Sequence, residues 1–155
     1  MIDLIIWLIN TINNTQNAAM MLIVSIGYML INIYGLFNCK IIGSGSIWSK
    51  CNSACYLIDD KILVDIPNGI CKALLNQGIN FRNIANVLIT HFHGDHYFDV
   101  PFYLLSKLKS DDKKVNFYLS DEGINKIKDV INLAFPNTYN TIFSVVDLLL
   151  MINLR

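Results

Sequence analysis

Apolar residues follow different rhythms in different parts of this chain. From Leu4 to Cys39 no residue is charged, and Ala18 to Phe37 is apolar apart from Ser25, Asn32 and two tyrosines. That stretch has about the 20 residues needed to cross a bilayer as a helix. A helix apolar on every side is also unusual on a water-soluble surface. Beyond Cys39 the pattern breaks into short runs separated by turn residues. Lys40 to Ser46 predicts a strand closed by a glycine turn. Ala54–Ile58 and Lys61–Ile66, split by Asp59-Asp60, predict a hairpin. Pro67-Asn68-Gly69 interrupts, and Ile70–Gln77 reads as a short helix with Gly78 just past its end. Val87-Leu88-Ile89 runs without alternation, so Asn86–Thr90 reads as a buried strand.

Asp99 or Val100 then caps a helix with Pro101 in its first turn, running to about Lys109. Val115–Leu119 is the next strand. The clearest helix is Asp121–Phe135: Ser120 can cap it, and Asp121 and Glu122 suit its positive end. Its apolar stripe is Ile124, Ile127, Ile131 and Ala134, and Pro136 ends it. Strands and helices in this order make an α/β (α+β) unit, one sheet covered by helices. Thr141 to Leu154 is strongly apolar and, on this reading, has nothing to pack against.

Two readings of the N-terminal segment stand: a transmembrane helix, or an extension not native to the domain. The expected division is therefore 1–37 and 38–155. Asp3 precedes the segment and Lys40 and Lys50 follow it, which places the domain on the cytoplasmic side, membrane-associated if the segment contacts a bilayer through residues 18–37. Asp3, where a secretory signal would carry a lysine or arginine, argues against such a signal.

Composition narrows function little. The 155 residues are 54% hydrophobic and 15% charged, with 12 basic residues balancing 12 acidic ones. No global positive field draws in nucleic acid. Lys107, Lys109, Lys113 and Lys114 read as a solvated helix end and loop. Cys39, Cys51, Cys55 and Cys71 contain no CxxC pair and read as small buried hydrophobes in a reducing compartment.

The chemistry lies in one place. All three histidines of the chain, His91, His93 and His96, fall within six residues, immediately after the apolar strand. His91 and His93, two apart on a loop, can turn toward one point; Asp95 and His96 can reach a second point beside it. Imidazole nitrogen and carboxylate oxygen are donors that zinc prefers, and Gly94 lets the backbone fold tightly between the pairs. Such a site would lower the pKa of a bridging water, with Asp95 placed to orient it or shuttle its proton.

Thr90-His91-Phe92-His93-Gly94-Asp95-His96 resembles the signature of the metallo-β-lactamase superfamily. Ile42-Gly43-Ser44-Gly45-Ser46, Cys51 to Leu57, Leu63-Val64-Asp65 with Gly69, and His93 to Pro101 resemble segments of the tRNA 3′-processing endonucleases, the ribonuclease Z type. Ser120 to Pro136 is similar to a helix of that group. Asp99 and Val100 depart from it, standing where the group has glycine and leucine; Asp99 is expected to cap the helix it precedes. The resemblance, from about Lys40 to Pro136, implies the first half of an αββα sandwich and two zinc ions. His91 and His93 would hold the first ion, Asp95 and His96 the second, with Asp95 the catalytic residue and Asp65 a structural aspartate near the site. The implied reaction is phosphodiester hydrolysis at the 3′ end of a tRNA precursor.

The resemblance also implies a further histidine, a bridging aspartate and a last histidine downstream, and no histidine follows His96. Asp129 and Asp147 are poorly placed substitutes. Two readings of function follow: an enzyme completed by a C-terminal half or a second copy of the chain, or an inactive half-domain that binds metal, membrane-attached or not. A third keeps the superfamily with a small ester or thioester as substrate.

Overall fold

The computed structural model describes residues 38–109 and 114–150, with backbone alone for 148–150. The expected N-terminal segment therefore lies outside the described residues. Among those described, no helix is long and apolar enough to cross a membrane.

Six strands form one mixed sheet in the order of the sequence. β1 (Cys39–Gly43), β2 (Cys55–Ile58) and β3 (Ile62–Val64) pair antiparallel. β4 (Asn86–Leu88), β5 (Val115–Leu119) and β6 (Val146–Leu150) add on in parallel. Asp59 and Asp60, at φ of 51° and 55°, turn the β2–β3 hairpin. Positive φ at both central positions matches the right-handed twist of the flanking strands, and aspartate tolerates it better than most residues.

The parallel strands require crossovers, and helices supply them: α1 (Ile70–Asn76), α2 (Gly94–Tyr97), α3 (Val100–Lys107), α4 (Asp121–Ala134) and α5 (Tyr139–Phe143). Alternation along the strands sends Leu57, Leu63, Val87 and Phe117 into the main core with Ile70, Leu74, Tyr103, Leu104, Ile127 and Ile131 from the helices. Val64 and Leu88 point the other way and pack with Tyr56, Ile58 and Tyr118. Apolar residues on both sides of the central strands explain why β3 and β4 read as continuous runs.

Several expectations change. The described part of the apolar run Thr141 to Leu154, residues 141–150, does not lack a partner: α5 buries Ile142, and β6 pairs along β5 from Val115↔Val146 to Leu119↔Leu150. Asp147 lies on that strand, half-exposed and 3.2 Å from Lys114. Ala134 is exposed, so the buried stripe of α4 is Gly123, Ile127 and Ile131. Lys107 does not join a surface cluster. It is fully buried, and its Nζ donates to the carbonyls of Arg82 and Ile84 at 2.7 and 3.3 Å, at the end of a short 3₁₀ turn, Phe81–Asn83. Cys55 and Cys71 are buried as expected, whereas Cys51 is exposed.

Candidate metal centre

The histidine motif leaves the C-terminal end of β4, at the rim of the sheet, where open α/β sheets hold ligands. Asp65 holds it there. This residue follows β3 at φ 61° and is 3% exposed. Its Oδ1 accepts the Thr90 backbone N–H at 2.8 Å; its Oδ2 accepts the Thr90 hydroxyl at 2.7 Å and lies 2.8 Å from His96 Nδ1. One buried carboxylate thus fixes both the entry to the motif and its last imidazole. With Nδ1 facing Asp65, His96 keeps Nε2 for another partner, the arrangement by which a carboxylate orients a metal-binding histidine. Backbone bonds add to the clamp: Ile66 N–H donates to the His96 carbonyl at 2.8 Å, and Asp99 N–H to the Ile66 carbonyl at 3.1 Å.

Phe92 anchors the loop from the other side. The edge of its ring meets Gly123 of α4, where any Cβ would clash with it. Tyr97 meets it edge-on at 5.2 Å, and the Lys126 ammonium stands 5.6 Å above it. Gly94 opens α2 without needing a left-handed backbone; the absence of a side chain there leaves room for the Phe98 ring. Asp99 does not cap α3. Its carboxylate, 5% exposed, accepts the Cys71 N–H at 3.0 Å in the first turn of α1, whose own N-cap position holds Gly69. The departure from the family pattern therefore ties two helices together.

The four expected ligands meet as neighbours. The His91 ring lies 3.8 Å from that of His96 and 4.8 Å from that of His93, between centroids. His91 Nδ1 is 3.1 Å from the Thr90 hydroxyl. His96 Nε2 and Asp95 Oδ2 are 3.8 Å apart. That is too long for a hydrogen bond and close to the separation of about 3.3 Å between two donors sharing a tetrahedral zinc at ordinary bond lengths. Donor types and the Asp95–His96 pair thus fit a zinc ion. Among the described residues, no three His, Cys, Asp or Glu side chains converge on one point, so the set is partial. Asp129, on α4, is exposed.

The environments of the imidazoles differ. Burial pulls His91 below its ordinary value of 6.5, and the neighbouring His96 adds to this. Burial pulls His96 down as well, but the hydrogen bond and charge of Asp65, with Asp95 nearby, outweigh it and hold His96 above 6.5.

A cleft of about 740 Å³ opens beside the motif. His93, Gly94, Asp95 and Phe98 form one wall; Ile47, Ser49, Lys50 and Asn52, from the loop between β1 and β2, form the other. The sequence pattern did not reveal this second wall or the Thr90 clamp. Asp65 and Thr90 are 25 residues apart and meet only because β3 and β4 pair in parallel.

The family model described as Anti-Pycsar protein Apyc1 matches residues 37–145, most of the chain. The chain belongs to the Anti-Pycsar protein Apyc1 family. This Apyc1-family chain is also similar to ribonuclease Z of Picrophilus torridus, 37% identical over 81 residues, which cover 50% of this chain and 26% of the relative. Ribonuclease Z of Ligilactobacillus salivarius is 35% identical over 72 residues, 46% of this chain and 22% of that one. The chain thus aligns with about a quarter of the length of these curated relatives. Among solved structures, the short form of human tRNase Z shares the fold with a TM-score of 0.57 and 20% identity, over 72% of this chain and 44% of that one. A diphosphatase of the PhnP family matches at 0.52 and 17%, over 74% and 50%. The sheet of this Apyc1-family chain is accordingly part of a metallo-β-lactamase fold, related to that of ribonuclease Z.

Proposed function

We propose that this chain carries the first half of the metal site of a phosphodiester hydrolase, His91 and His93 holding one zinc ion and Asp95 and His96 a second. The observation that carries this reading is the Asp65 carboxylate 2.8 Å from His96 Nδ1, which orients that imidazole while its Nε2 faces Asp95. Zinc supplies Lewis acidity and makes hydroxide available at neutral pH. The protein's own part is positional. Asp65 and Thr90 fix the loop, Phe92 seats it on α4, and Asp95 stands at the cleft where it can accept a proton from an attacking water. Similarity to ribonuclease Z supports an RNA 3′ end, with precursor tRNA as the substrate to try. Further ligands would come from a C-terminal half or a second copy of the chain.

Zinc content of the full chain, purified without chelator, tests this against the His91→Ala/His93→Ala double variant. Near-stoichiometric zinc lost in the variant, together with zinc-dependent cleavage of precursor tRNA, supports the proposal. Bound zinc without cleavage would leave a metal-binding half-domain, and zinc no higher than in the variant would refute the site.

A further inference from the structure

Among the described residues, the helices send their apolar side chains to one face of the sheet, against Leu57, Leu63, Val87 and Phe117. Strand register defines the other face. Tyr56 stands opposite Val64 and Ile58 opposite Ile62; Val64 lies beside Leu88, and Leu88 beside Tyr118. Residues paired in this way share a face. This second face is apolar from β2 to β5, and its centre is withdrawn from water: Ile62 is 8% exposed, Val64 5% and Leu88 3%. Burial also pushes the Tyr56 phenol above its ordinary value. Val64 and Leu88 touch Tyr56, Ile58 and Tyr118. Neighbours within a sheet shield the flanks of a side chain, not its tip, so such burial calls for a second layer.

We propose that residues 18–37 of the same chain are that layer, docked on Tyr56, Ile58, Val64, Leu88 and Tyr118. Three features of the chain favour this occupant. The segment is apolar apart from Ser25, Asn32 and two tyrosines, with no charge between Leu4 and Cys39, and it meets a face whose central side chains carry none. It is long enough: a helix of its length spans about 30 Å, against about 19 Å from β1 to β5 at the usual strand spacing. It is tethered in the right place, because Asn38 alone separates it from β1, the strand that pairs with β2 at the edge of this face. So short a tether gives the segment an effective concentration of about millimolar or more, which favours it over a second copy of the chain. The apolar run then serves the sheet and not a bilayer.

Photo-crosslinking in the full chain tests this. The photoreactive residue p-benzoylphenylalanine replaces Tyr118 on the face or, where that variant does not fold, Ile41, which is 46% exposed and stands opposite Tyr56. A third variant carries it at Leu133, 83% exposed on α4, across the sheet. Isotope-labelled and unlabelled chains are mixed in equal amounts and irradiated in buffer and with phosphatidylcholine–phosphatidylglycerol vesicles, and the adducts are mapped by mass spectrometry. The expected adducts from positions 118 and 41 fall within residues 18–37 of the same chain, with and without vesicles, and position 133 gives none there. Adducts joining labelled to unlabelled chains would assign the face to a second copy and overturn the proposal. Adducts to lipid would assign it, or the segment, to the bilayer and do the same. Adducts outside residues 18–37, no adduct from either face position, or an equal yield from position 133 would also overturn it.

Discussion

The two walls of the cleft are held by opposite means. The histidine wall is fixed from beneath, by a buried carboxylate reached from another strand and by an aromatic ring seated on a helix. The facing wall holds itself, through short-range hydrogen bonds at the surface, and touches little of the core. The difference suits their tasks. Metal ligands must keep their relative positions within fractions of an ångström, whereas a wall that receives a ligand can move as a unit.

The largest break in that contrast should come from Asp65→Ala. It removes the carboxylate that accepts from the Thr90 amide and the Thr90 hydroxyl and pairs with His96 Nδ1, three charge-assisted contacts, and should cost about 3 kcal/mol or more by urea denaturation. Gly123→Ala comes next. Its Cβ displaces the Phe92 ring, with an expected loss of about 1–3 kcal/mol from overpacking, and zinc affinity should fall with it. Ser49→Ala, which removes a hydroxyl serving only the surface turn, should cost about 1 kcal/mol or less while freeing Trp48 in fluorescence anisotropy. Trp48→Ala should fall within about 0.5 kcal/mol of the parent, because the side chain packs on almost nothing.

Titration sharpens the same comparison. In metal-free protein, NMR should find His96 titrating above 6.5 and His91 below it. Because the folded value of His96 is raised, the stabilisation from its pairing with Asp65 is fully present below 6.5 and lost as pH rises through the folded value. Asp65→Asn should bring His96 down and flatten that dependence.

What the sequence made legible was local. The hairpin announced itself through Asp59-Asp60, the buried strand through Val87-Leu88-Ile89, and α4 through Ile127 and Ile131. The four ligand candidates were adjacent in sequence and proved adjacent in space. What stayed hidden depended on distant partners. β6 has a place only because β5 offers it an edge. Asp99 looked like the cap of its own helix, yet its carboxylate reaches α1. Lys107 followed the usual rule for lysine, that it is solvated, until two carbonyls of the 3₁₀ turn were brought within reach of its ammonium. Trp48 could equally have been core, since nothing in its neighbours' identity says which way an indole points.

The sheet's strand order bears on how the protein is made. Among the described residues, each strand after β1 pairs with the one synthesised just before it, so the sheet can grow in the order of synthesis. Sequential pairing keeps each loop to be closed shorter than a pairing that skips a strand would. The Asp65 clamp can therefore set as soon as the histidine segment has emerged, ahead of the helix that later gives Phe92 its seat. The histidine loop would be positioned in two stages during translation, the carboxylate first and the aromatic lock second.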